Sequence, residues 1–220
     1  MAIFPTAYFP CISYVAQYLA EEDPVIEIFD TYHKQTYRNR CHVMTANGVQ
    51  LLSIPVRQVN GNHTMTKDMV ISTVEPWQQI HRRCLESAYK ASPYFDHYYG
   101  YIAPIFEQRY ERLVDLNDAS LAAILKMLKV KKEIVHTNDY AKEADVDFRN
   151  VFVKRQQPTA NSQQLTANSQ QPTANSQQLT PLPSYYQVFE QKFPFAPDLS
   201  VLDLIFNEGP EAMDYLKDLQ

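Results

Sequence analysis

A chain of 220 residues with 45% hydrophobic side chains can bury one medium-sized core, so one domain is expected. A net charge of -5 argues against the broad basic face on which nucleic-acid affinity rests, and any anion must be met by a local cluster. Three separated cysteines, Cys11, Cys41 and Cys84, form no Cys-x-x-Cys pair, which excludes a disulfide framework or zinc ribbon and points to reduced thiols in the cytoplasm.

The stretch from Met1 to Pro10 lacks a basic flank and meets proline too early for a signal peptide. No run approaches the roughly 20 apolar residues that span a bilayer. A cytoplasmic protein without membrane insertion is expected. Val25–Phe29 reads as a strand, with β-branched residues bounded by Pro24. Next comes a cationic segment, Asp30–Arg40, holding His33, Lys34, Tyr37, Arg38 and Arg40. It runs into a hairpin signal, with strands over 41–46 and 49–56 around the pair Asn47-Gly48, which suits a type I′ turn.

Helices follow. Trp77, Ile80, His81, Cys84, Leu85 and Ala88 share one helical face behind Pro76. A second helix is expected near Tyr94–Tyr110, with Gly100 and Pro104 threatening its continuity. Asn117 or Asp118 is placed to cap a third, whose stripe is Leu121, Ile124, Leu125 and Leu128.

From Gln157 to Thr180 the heptad Pro/Leu-Thr-Ala-Asn-Ser-Gln-Gln recurs from Pro158, Leu165 and Pro172, and restarts at Leu179. One apolar position per heptad cannot build a coiled-coil seam, so residues 156–181 read as a flexible low-complexity loop. An insert of about 25 residues spans roughly 28 Å as a coil, and lengthening a short loop to that size costs only about 1 kcal/mol. Residues 1–155 and 182–220 are therefore expected to form one interrupted domain. Beyond the repeat, Ser200-Val-Leu-Asp203 has the form of a capping box, Gly209 can end that helix, and Pro210 can start another. The pattern is α+β: a small, partly antiparallel sheet with several packed helices.

With glycines only at 48, 61, 100 and 209, neither Gly-x-Gly-x-x-Gly nor a P-loop can be written. No metal-ligand cluster or nucleophile elbow is present, and no cofactor is indicated. What remains is the cationic segment. In an extended backbone Arg38 and Arg40 would share one side, with Asn39 on the other, and two guanidinium forks suit a phosphate or carboxylate. Lys34 and Tyr37 add donors. The alternative is a pair of structural arginines serving acidic loops such as Asp68 or Glu75. His33 is the candidate general base, with Asp30 the carboxylate of the same segment. His42 can also titrate near neutrality, but it lies inside a strand. His81, Trp77, Tyr8 and Tyr14 offer aromatic or polar contacts to a sugar or base, although core packing explains most such aromatics and a satisfied core histidine is the default reading of His81. Asp203 reads as a cap before it reads as a catalyst, and Cys41 as a buried strand thiol.

Several of these segments, taken together, resemble a known family: Tyr8-Phe-Pro-x-x-Ser-Tyr14, Lys34-Gln-Thr-Tyr-Arg-Asn-Arg-Cys41, Leu52-Ser-Ile-Pro-Val56, Glu86-Ser-Ala-Tyr89, Ser92-Pro-Tyr-Phe95 and Leu199–Pro210. The chain is similar over nearly its whole length, outside the repeat, to the WbqC-like family. Phe4 stands where many relatives begin with Gln-Pro. The resemblance implies a bacterial protein of O-antigen or related surface-polysaccharide synthesis, without implying particular catalytic residues. The expected activity is modification of a nucleotide-linked sugar, by acyl or aminoacyl transfer to a sugar amine. Arg38, Arg40 and Lys34 would hold the diphosphate. A non-catalytic accessory protein binding an activated sugar or pathway partner is the alternative.

Overall fold

A computed structural model describes residues 1–152 and 182–220; the repeat loop expected at 156–181 lies outside them. Four short strands, β1 (Ala2–Pro5), β2 (Pro24–Glu27), β7 (Val135–His136) and β8 (Val146–Asp147), form a parallel sheet in the order β7-β2-β1-β8. Phe4 sits opposite Ile26, and Ile26 opposite His136. Helix α1 (Ile12–Ala20) is the crossover from β1 to β2. It buries Ile12, Tyr14, Val15 and Tyr18, and the ring of Phe4 meets Tyr14 and Tyr18 edge-on while stacking on Phe148. The parallel sheet is a feature that alternation along the sequence does not suggest. Its strands are two to four residues long: the central β1 and β2 are buried nearly throughout, and the two-residue edge strands β7 and β8 are too short to show a period-two pattern.

Two antiparallel pairs complete the strands: β3 (Arg40–Thr45) with β4 (Gly48–Ser53), and β5 (Val56–Arg57) with β6 (Val70–Ile71). The hairpin forms as expected, but its loop lies one residue earlier. Thr45 faces Gly48, so Ala46 and Asn47 make the turn, and only Gly48 takes a left-handed φ, +99°. A turn needing one such residue uses the glycine and leaves Asn47 in ordinary backbone. Every cross-strand partner shifts as a result, and His42 faces Leu51 rather than Ser53.

Helix α2 (Trp77–Tyr89) buries Trp77, His81, Leu85 and Ala88, while Ile80 faces solvent, so its apolar stripe is narrower than the spacing suggests. Helix α3 (Phe95–Glu107) runs unbroken with Pro104 inside it. Helix α4 (Leu113–Met127) starts four residues before Asn117, because its entry is tied to a neighbouring segment: Leu113 N–H donates to Met69 O, and Arg112 bridges Val70. Asn117 is thus a mid-helix residue and caps nothing. Helices α5 (Val201–Glu208) and α6 (Ala212–Asp218) follow, with Gly209 ending α5 at φ +56°.

The fold class is α+β. Its core draws on both sides of the repeat, since Phe206 packs on Tyr89 and Phe95. A smaller cluster of Met44, Ala196 and Leu199, flanked by Phe189 and Phe193, covers the turn end of the hairpin. Among the described residues no helix is long and apolar enough to cross a membrane.

Candidate functional site

The cationic segment between β2 and β3 is a series of turns, so the extended geometry that would align Arg38 with Arg40 does not form. Arg38 is buried, only 2% exposed. Its Nη2 donates to the carboxylate of Asp30, which also accepts from Thr66 Oγ1, and the Asp30 carbonyl accepts from Thr66 N–H. The acidic partner is therefore Asp30 itself, rather than Asp68 or Glu75. Asn117 reaches from α4 and donates to the carbonyl of Arg38 and to Thr6 Oγ1, at 2.8 and 3.0 Å. Asn39 points its amide at the carbonyl of Ile54, and Tyr8 N–H donates to Tyr37 O. This net fixes the loop against the chain that follows β1, and it consumes Asp30, Arg38 and Asn39 as framework.

What the loop leaves open is a surface depression lined by Gln35, Thr36, Tyr37, Arg40, His42 and Leu51. Arg40 and His42 are two apart on β3 and share a face, with Leu51 opposite His42 on β4. The Tyr37 ring stands edge-on to His42, centroids 5.7 Å apart. Arg40 makes no ion pair among the described residues, and its buried Nε has no hydrogen-bond partner among them. Gln35 holds φ +63°, a left-handed conformation unusual for glutamine.

Behind Tyr37 lies the N-terminus of α1. There Asp198, from the segment preceding α5, accepts from Ser13 N–H and Ser13 Oγ at 2.8 and 2.9 Å, and Cys11 Sγ lies 3.4 Å from Ser13 Oγ. Burial pushes the Tyr37 hydroxyl well above its usual range, and the nearby Cys11 and Asp198 add to the shift. The Asp198 carboxylate occupies the place where a strand-to-helix unit commonly receives a phosphate. An anion at this surface must be met by side chains.

The remaining candidates separate clearly. His33 and Lys34 are exposed on the same loop but do not line the depression. Tyr8, Tyr14, Trp77 and His81 are core residues: Tyr14 Oη donates to Pro5 O, and Tyr8 Oη bonds His81 Nδ1 at 3.0 Å. Burial pushes His81 down to about 4, against an opposing hydrogen bond to the Ser53 backbone, so the ring is neutral at physiological pH. Burial likewise raises the Cys41 thiol. Asp203 does not complete a capping box. Ser200 Oγ accepts from Leu202 N–H, while the fully buried Asp203 carboxylate accepts from Tyr185 Oη and Gln187 Nε2. It anchors the chain that follows the repeat.

The family model described as the WbqC-like protein family matches residues 6–215. The chain belongs to the WbqC-like family. A protein of Mycobacterium tuberculosis (strain H37Rv), itself uncharacterized, is 28% identical over 223 residues, covering 96% of this chain and 91% of that protein. No solved structure matches the chain. The family match includes the cationic loop and the hairpin, so every residue that lines the depression lies inside the shared region.

Proposed function

We propose that this WbqC-like protein binds the anionic part of a nucleotide-linked sugar in the depression and serves the synthesis of a bacterial surface polysaccharide. The observation that carries this reading is Arg40: a guanidinium on an open depression, without an acidic partner among the described residues, beside an aromatic ring and an apolar wall. Arg40 supplies the bidentate contact to phosphate, Tyr37 the flat contact to sugar or base, and Thr36, Gln35 and His42 the polar contacts that orient it. Lys34, exposed on the loop, is the second cation for a diphosphate. Arg38 and Asp30 act from behind, by holding the loop in shape.

The reaction class we favour is acyl or aminoacyl transfer, in which a sugar amine attacks an activated acyl carbonyl, loses its proton to a base and releases the donor's leaving group. His42 in the lining and His33, exposed on the loop, are the imidazoles we assign to take this proton. An accessory, non-catalytic role is the second reading, favoured by a lining that holds neither carboxylate nor thiol. Complementation of a deletion strain separates the two. Loss of polysaccharide with His33→Ala, at unchanged protein level and unchanged ligand binding, is the expected result for an enzyme; full rescue by His33→Ala and by His42→Ala supports the accessory role.

A further inference from the structure

Strand β4 is an edge. Its register against β3 turns the backbone groups of Gly48, Gln50 and Leu52 toward β3 and those of Val49, Leu51 and Ser53 outward. The hydrogen bond from Ile54 N–H to Asn39 O continues the same alternation. Among the described residues no strand pairs with that outer side; Ser53 is engaged at its end by His81. Natural edges are commonly protected by lysine, proline or a bulge. Gly48-Val49-Gln50-Leu51-Leu52-Ser53 has none of these, and Val49 and Leu51 are 41% and 39% exposed.

We propose that β4 pairs antiparallel with β4 of a second copy of this chain, about a two-fold axis at Leu51. Leu51 then lies opposite its counterpart and exchanges two backbone hydrogen bonds with it, while Val49 lies opposite Ser53. Two features favour a copy over a foreign strand. A chain of net charge -5 repels its own copy except across neutral surface, and this strand is uncharged. The register also keeps like charges apart. The two Arg40 residues stand three strand spacings and four residues away from each other, about 20 Å, well beyond a Debye length of about 8 Å.

The result is a four-stranded sheet with Arg40, His42 and Leu51 of both copies on one face. Each copy's Leu51 extends the apolar wall of the other's depression. The pairing stands independently of the ligand proposed above.

Size-exclusion chromatography with light scattering tests it on the full chain. The expected mass is twice 25.5 kDa, falling to that of one chain in Leu51→Lys, which sets two ammonium groups directly opposite each other, and retained in Leu51→Thr. Circular dichroism on each variant shows that the fold persists. In a Cys84→Ser background, Leu51→Cys crosslinks between chains under oxidation, whereas Val49→Cys, about 13 Å from its counterpart at this register, does not. A wild-type monomer, or a dimer indifferent to Leu51→Lys, overturns the proposal and leaves the edge to a foreign extended segment.

Discussion

The carboxylate of Asp30 holds the guanidinium of Arg38, eight residues further along the same loop, inside the protein. The pair divides the cationic segment into two parts. Arg38 is neutralised and structural, while Arg40, two residues on, keeps its charge on the depression. A segment that looks uniformly suited to an anion contains one arginine that is locked inside the loop and one that lines the depression.

Breaking that pair strands a buried charge, which typically costs about 3–5 kcal/mol. Arg38→Ala is therefore expected to be far more destabilising than Arg40→Ala in chemical denaturation. Arg38→Met combined with Asp30→Leu, which removes both charges, recovers much of the loss. A single Arg38→Ala indistinguishable from wild type in unfolding midpoint contradicts the assignment.

His136, at the end of β7, bonds Asp118 on α4 at 3.0 Å, and this carboxylate raises the imidazole above its ordinary value, with Asp115 adding to the shift and burial opposing it. A group raised on folding contributes stability in full below its unfolded value of about 6.5, and loses it as the pH rises through the folded value. Asp118→Asn should therefore lower the melting temperature at pH 5.5 and leave it nearly unchanged at pH 9. An equal loss at both pH values would point to packing rather than charge.

Burial raises Asp203, against hydrogen bonds from Tyr185, Tyr89 and Gln187. Its sign is the reverse of an ordinary ion-paired carboxylate: stability is greatest below its unfolded value of about 3.9 and declines as the pH rises through the folded value. Asp203→Asn is expected to flatten the pH dependence of unfolding between pH 4 and 7. Asp203→Ala leaves the donors unpaired and costs about 1–3 kcal/mol. Denaturant titrations at several pH values read both effects.

Gly209 combines a left-handed φ with the face of Tyr94, where an added Cβ would lie 2.5 Å from the ring. Gly209→Ala is expected to cost more than the roughly 1–2 kcal/mol of left-handed strain alone. Thermal unfolding of Gly209→Ala beside Tyr94→Leu/Gly209→Ala checks it, with the smaller side chain relieving part of the loss.

Legibility in the sequence followed the range of the determining contacts. β2, the hairpin, α2 and the Gly209 stop depend on neighbours in sequence, and their residues announce them. The parallel sheet was hidden, because strands as short as Val135–His136 exist only through the strands they join. Asn117 read as a cap since its partners, Thr6 and Arg38, are 111 and 79 residues away. The depression was half legible: Arg40 and Tyr37 stood out in the segment, whereas Leu51 beside His42 required a turn placed one residue earlier than Asn-Gly suggests. Asp198, which fills the helix N-terminus, carried no local signal beyond its charge.

The most direct measurement of the central claim is a thermal-shift titration of wild type, Arg40→Ala and Lys34→Ala with nucleotide sugars, because a ligand bound only by the folded chain raises its melting temperature with concentration. The account predicts a concentration-dependent rise in wild type, its loss in Arg40→Ala and a partial loss in Lys34→Ala, with unliganded melting temperatures close to wild type for both. An undiminished rise in Arg40→Ala would contradict it.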